Sequence, residues 1–151
     1  MGLTLLDTGA VIGFLDADDA FHAASHAEIA TAMREGTFFC MAAVSYAELL
    51  TDVGLGHHDL AVVESFLSDF SVGILAVDEV VAEEAARLRS AAVAKGRAKR
   101  AGATARLRMP DALILATAAV TPAIDRVLVA DARWPKVDLG GDVDVRLLAA
   151  A

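Results

Sequence analysis

The segment LRMPDALILATAAV (residues 107–120) guides the interpretation of the whole sequence. Pro110 suits the first turn of a helix, and every residue from 112 to 120 is uncharged. A surface helix would alternate charged and apolar residues, so this pattern predicts a buried helix with one carboxylate, Asp111, at its start. Burying an unpaired carboxylate costs several kcal/mol, so Asp111 is expected to have a partner.

Short apolar runs alternate with helical patterns along the rest of the chain. The predicted strands are LTLLD, GTFFCMAAV, VGILAV, RVLVA and DVRLL, and the predicted helices between them include TGAVIGFL and SYAELLTDV. AKGRAKRAGATARLRM (residues 94–109) contains two glycines and predicts a loop. Strands that are nearly continuous in apolar residues indicate an α/β fold, with a parallel sheet covered by helices on both faces. The length of 151 residues fits one domain, residues 1–151.

The composition limits where the protein works. The longest apolar stretch is shorter than the roughly 20 residues that a membrane span needs. The N-terminus MGLTLLDTGAV lacks the basic start and the cleavage site of a signal peptide. The single cysteine, Cys40, lies in an apolar run and suits a reducing compartment. We therefore expect a cytoplasmic protein without a membrane span.

Charge is distributed unevenly along the chain. The net charge of −8 argues against non-specific binding of nucleic acid by the molecule as a whole. Residues 85–110 nevertheless contain no acid and hold eight of the 13 basic residues: Arg87, Arg89, Lys95, Arg97, Lys99, Arg100, Arg106 and Arg108. This segment is either a solvated helix face and loop or a rim that contacts phosphate groups.

Four acids are predicted to lie at one edge of the sheet. Asp7 and Asp131 follow strands, and Glu48 and Asp111 lie in the first turns of predicted helices. In parallel α/β sheets, ligands bind at the carboxyl ends of the strands. Each acid also has a structural explanation: a helix cap at Asp7, a capping box from Ser45 to Glu48, a helix dipole at Asp111 and a turn at Asp131.

Considered together, the structural explanations are weaker. Four converging carboxylates repel one another and raise one another's pKa values, and Mg²⁺ or Mn²⁺ removes that difficulty because these ions prefer oxygen ligands. The histidines offer no alternative zinc site, since neither the pair His22 and His26 nor the pair His57 and His58 has a cysteine at zinc-like spacing.

Four motifs resemble the PIN-domain family, specifically the VapC-type toxins of bacterial toxin–antitoxin pairs. They are LLDTGAVIGFLD, VSYAELL, LRMPDALILATA and VLVADARW, and they occur in the expected order over the whole chain. The family's four acids correspond to Asp7, Glu48, Asp111 and Asp131, and Thr8 matches the hydroxyl residue that often follows the first acid. Related sequences often carry Thr or Ser just before the last acid, whereas this chain has Val129 and Ala130 there.

The resemblance implies a single PIN-like domain with a three-layer α/β/α sandwich and a central parallel sheet. It also implies a Mg²⁺- or Mn²⁺-dependent endoribonuclease that forms a homodimer and is silenced by a cognate antitoxin. Thr8, Arg106 and Arg108 are then expected to contact RNA, and Trp134 is the aromatic residue best suited to stack on a base.

Three other functions fit parts of the sequence. One is a PIN-type nuclease of housekeeping RNA processing, and another is a PIN-fold binding module whose catalysis has decayed. The third, a phosphohydrolase of the haloacid dehalogenase type, also has an Asp after its first strand. It needs a second Asp two positions later, where this chain has Gly9, so we set it aside.

Overall fold

A computed structural model describes residues 2–98, 107–132, 134 and 137–151, with the side chains of residues 96–98 excepted. The strands are β1 (Leu3–Leu6), β2 (Phe38–Ala42), β3 (Gly73–Leu75), β4 (Ile124–Val129) and β5 (Asp144–Leu147). The helices are α1 (Thr8–Leu15), α2 (His22–Arg34), α3 (Ala43–Gly54), α4 (Leu60–Asp69), α5 (Glu79–Ala98) and α6 (Met109–Val120). No helix in these ranges is long and apolar enough to span a membrane.

The five strands form one parallel sheet in the order β3-β2-β1-β4-β5. Alternate residues of the strands point to opposite faces, and both faces are buried. Leu5 and Val127 pack under α5 and α6, whereas Leu6 and Leu128 pack under α1, α2 and α4. The predicted α/β/α sandwich is therefore confirmed.

The connections place β1 at the centre of the sheet. The chain moves outward from β1 to β2 and β3, and it then crosses to the other side of β1 to form β4. This change of direction leaves a crevice between the carboxyl ends of β1 and β4, the position where open α/β sheets bind ligands. Asp7 and Asp131 lie at this crevice because they follow those two strands.

Two predicted boundaries were wrong. Residues 94–98, expected in a loop, continue α5, because the helix tolerates Gly96 at a modest cost. The helix after β2 begins at Ala43 rather than near Ser45, because α3 follows β2 without an intervening turn. Residues 99–106 of the predicted loop lie outside the described residues.

Gly9 allows α1 to begin against the end of β4. A Cβ atom at Gly9 would lie 2.9 Å from the Cβ of Ala130 and 3.6 Å from an oxygen of Asp7. The first distance is shorter than a van der Waals contact, so a larger residue would push the helix away from the strand. The close approach therefore holds the segment after β4 next to Asp7.

We predict that Gly9→Ala lowers the free energy of unfolding by roughly 1–3 kcal/mol, because an overpacked contact must be relieved by movement of the backbone. Gly54→Ala is the matched control: it is also a helical glycine, and a Cβ atom added there would meet no neighbouring atom of the described residues within 4 Å. It should be neutral or slightly stabilising. Urea denaturation of both variants measures the difference, and equal effects would contradict the close approach at Gly9.

Candidate active site

Asp7 lies at the N-terminus of α1, directly after the central strand. Its backbone N–H donates to the carbonyl of Leu128 at 3.1 Å, which extends the pairing of β1 and β4 by one residue. The residue is only 8% exposed, and the backbone N–H groups of Thr8 and Gly9 near its carboxylate do not reach the geometry of a capping hydrogen bond. Capping alone therefore does not account for this buried acid.

Glu48 reaches the same region from α3. Because α3 begins at Ala43, Glu48 lies in the second turn rather than the first, and Ser45 lies inside the helix. The capping-box explanation is therefore wrong. The Thr8 hydroxyl donates to Oε2 of Glu48 at 2.6 Å, a contact between residues 40 apart that no local sequence signal indicates.

The other two acids reach this edge from different elements: Asp111 from α6, which covers the other face of the sheet, and Asp131 from the segment after β4. Asp111 lies in the first turn of α6, as predicted, with Pro110 as the second residue of that helix. Asp131 comes two residues after the end of β4, and its carbonyl accepts a hydrogen bond from the backbone N–H of Trp134 at 3.2 Å. Both acids are half-buried.

Burial raises the pKa of Asp7 from its ordinary 3.8 to about 7. The backbone N–H groups of Thr8 and Gly9 lower this pKa, while the negative charges of Glu48 and Asp111 raise it further. The effect of these two acids shows that they lie close enough to Asp7 to interact with it electrostatically. The structure thus brings together three of the four predicted acids and places Asp131 at the same edge of the sheet.

The donor set suits a hard divalent cation. Carboxylate oxygens are the ligands that Mg²⁺ and Mn²⁺ prefer, and a cation would offset the repulsion that raises the pKa of Asp7. As the side chains stand, the described residues contain no group of three or more acids, histidines or cysteines that could hold a metal ion.

Cys40, His22 and His26 have structural roles. Burial raises the pKa of the Cys40 thiol to about 12, which leaves it unreactive near neutral pH. Nδ1 of His22 lies 2.8 Å from the carbonyl oxygen of Gly13, and Nε2 of His26 lies 3.1 Å from that of Phe14. The two imidazoles therefore bind carbonyl groups in the last turn of α1.

Two expectations about RNA contacts are affected by burial. Trp134 is 2% exposed and packs in the core beside α6, so the expectation that it stacks on a base was wrong. The Thr8 hydroxyl is buried and already bonded to Glu48.

The predicted basic contacts stand differently. Arg108 is exposed directly before α6, whereas Arg106 lies outside the described residues. Within the basic segment 85–110, Arg87 forms an ion pair with Glu84.

Carboxylates gathered at the crevice of a parallel sheet define an α/β protein with an acidic site. The PIN domain family matches residues 4–139, and the chain belongs to that family. The family resemblance of the four motifs is therefore confirmed. A comparison with curated protein sequences finds no match.

Several solved structures share the fold. VapBC2 from Rickettsia felis bound to a promoter DNA fragment is similar with a TM-score of 0.70 and 13% identity, covering 96% of this chain and 98% of that one. DNA-bound VapBC from Salmonella typhimurium has a TM-score of 0.66 and 17% identity, covering 99% and 100%. VapBC-5 from Mycobacterium tuberculosis, a toxin–antitoxin system, has a TM-score of 0.59 and 23% identity, covering 99% and 100%.

The raised pKa of Asp7 predicts a pH dependence of stability. Between pH 4 and pH 7 the folded protein keeps a proton on Asp7 that the unfolded chain loses, so stability falls as the pH rises from about 4 to about 7. Asp7→Asn removes this penalty and should stabilise the metal-free protein at pH 8 by at most about 4 kcal/mol. Near pH 4 the gain should be much smaller.

Urea denaturation in EDTA at pH 4.5 and pH 8 measures this difference. Asp125→Asn is the control, because Asp125 is exposed at the start of β4, away from the acidic edge. If Asp7→Asn has the same effect at both pH values, the carboxyl group does not titrate in this range.

Proposed function

We propose that this protein is a Mg²⁺- or Mn²⁺-dependent endoribonuclease that acts as the toxin of a toxin–antitoxin pair. The observation that carries the proposal is the electrostatic coupling of Asp7 with Glu48 and Asp111 at the crevice between β1 and β4. Membership of the PIN domain family supports a nuclease, and the similar toxin–antitoxin structures support a toxin. We place the activity in the cytoplasm, where RNA is available.

The four acids have separate roles in this proposal. Asp7 and Asp111 would hold the principal ion, and Glu48 and Asp131 would hold or orient a second ion or its water molecules. When bound, such an ion relieves negative charge on the phosphate group and lowers the pKa of water. The N-termini of α1 and α6 carry partial positive charge and favour the phosphate group at the same edge.

Partners follow from the same reasoning. VapBC-5, whose fold is similar, belongs to a family of toxin–antitoxin systems, and we propose a cognate antitoxin for this chain as well. We also propose that the protein forms a homodimer. The substrate is RNA, and hydrolysis by activated water should leave a 5′-phosphate and a 3′-hydroxyl.

We predict that Asp111→Asn lowers RNA cleavage by more than about 100-fold, because even the loss of a residue that only supports a metal ligand costs roughly 10- to 100-fold. Purified proteins are incubated with total bacterial RNA in Mg²⁺, in Mn²⁺ and in EDTA. Asp125→Asn, the same substitution at the far end of β4, should match wild type.

The end groups and the metal dependence decide between the alternatives. Cleavage by wild type in EDTA, or a 2′,3′-cyclic phosphate product, would rule out the proposed chemistry. Wild type that neither cleaves RNA nor gains thermal stability with Mn²⁺ would favour the decayed binding module. Growth arrest on induction separates a toxin from a housekeeping nuclease.

The basic segment before α6 should guide RNA to the acids. Neutralising both Arg106 and Arg108 with glutamine should weaken RNA binding. It should also make the negative slope of log K against log salt less steep by about 1.4, since each contact with single-stranded RNA contributes roughly 0.7 to its magnitude. Binding is measured in the Asp111→Asn background to prevent cleavage. Arg34→Gln is the control, because this exposed residue ends α2 at the opposite edge of the sheet. An unchanged slope in the double variant would contradict this role.

A further inference from the structure

The contact between Thr8 and Glu48 joins two elements that are far apart in sequence. Thr8 is the first residue of α1, and Glu48 lies in the second turn of α3. The hydroxyl oxygen lies 2.6 Å from Oε2 of Glu48 and 3.3 Å from the carbonyl oxygen of Ser45. Thr8 is 9% exposed, so little water competes for this contact.

The distances decide where the hydroxyl proton goes. A threonine hydroxyl has one proton to donate, and the two acceptors differ in distance by 0.7 Å (3.3 against 2.6 Å). A length of 2.6 Å is typical of a hydroxyl that donates to a carboxylate, and such a bond is roughly twice as strong as a neutral one. The proton therefore lies between Thr8 and Glu48.

This bond opposes the repulsion within the acidic site. Glu48 raises the pKa of Asp7, so the two carboxylates repel each other when both are charged. A half-buried glutamate has flexible torsions and can turn toward solvent to avoid that repulsion, a movement that regains side-chain entropy. Thr8 is covalently next to Asp7, so a bond from its hydroxyl keeps the Glu48 carboxylate beside Asp7.

We propose that Thr8 is a positioning residue that holds Glu48 in the metal-binding cluster rather than a residue that contacts RNA. The inference rests on the proposed function, because it assigns a role within the proposed cation site. Thr8 acts through Glu48, so its removal should weaken cation binding in the absence of any RNA.

The test measures Mn²⁺ binding by calorimetry on RNA-free protein. Thr8→Val keeps the shape and removes the hydroxyl, and it should raise the Kd for Mn²⁺ roughly 10- to 100-fold, the range for residues that orient metal ligands. Thr8→Ser keeps the donor and should restore most of the affinity. Thr4→Val is the matched control: Thr4 is a fully buried threonine in β1 whose hydroxyl has no hydrogen-bond partner among the described residues.

A double-mutant cycle separates positioning from general destabilisation. In a Glu48→Gln background, Thr8→Val should cause little further loss of Mn²⁺ affinity, because the residue through which Thr8 acts is already changed. Thr8→Ala serves as a second variant without a hydroxyl if Thr8→Val does not fold. If the changes in log Kd for Mn²⁺ caused by Thr8→Val and by Glu48→Gln simply add in the double variant, the two residues act independently and the positioning role is overturned.

The failure of this inference is distinguishable from the failure of the proposed function. If wild type binds no Mn²⁺ and cleaves no RNA, both are overturned. If wild type binds Mn²⁺ and Thr8→Val binds it equally well, only the positioning role is overturned. Weaker RNA binding by Thr8→Val with unchanged Mn²⁺ affinity would also overturn it and return Thr8 to an RNA contact.

Discussion

The burial of the Asp7 carboxylate beside two other acids is the constraint on which the site depends. Water would stabilise the charged form, but Asp7 is only 8% exposed and its neighbours Glu48 and Asp111 are negative. The fold compensates only in part, through the backbone N–H groups of Thr8 and Gly9. Burial and repulsion that are costly to stability are typical of functional sites, where carboxylates are held together for a ligand of opposite charge.

The sheet topology makes this arrangement rigid. Asp7 is joined to the central strand and bonded to Leu128 of β4, so its backbone cannot move away from the crevice without breaking the sheet. Asp111 is carried by α6, which packs on one face, and Glu48 by α3 on the opposite side of β1. The acids therefore come from three elements that are each fixed by core packing.

The sequence predicts the fold well because the relevant signals are local. Apolar runs marked the strands, and Pro110 with the uncharged residues after it marked α6. An acid after a strand indicated the functional edge, since parallel strands end at the same side. Two features were missed for non-local reasons: Trp134 is buried by tertiary packing, and Thr8 meets Glu48 across 40 residues. The start of α3 at Ala43 was misplaced because β2 passes into the helix without the turn that a sequence signal would mark.

The charge distribution also implies an order of binding under the proposed function. An RNA phosphate that approached the three coupled acids without a cation would add a further negative charge to a site that already repels charge, in a protein with a net charge of −8. The exposed Arg108 lies three residues before Asp111, so positive charge is available at the rim of the site. Under the proposed function, a cation between the acids would offset this repulsion if it bound before or together with the phosphate.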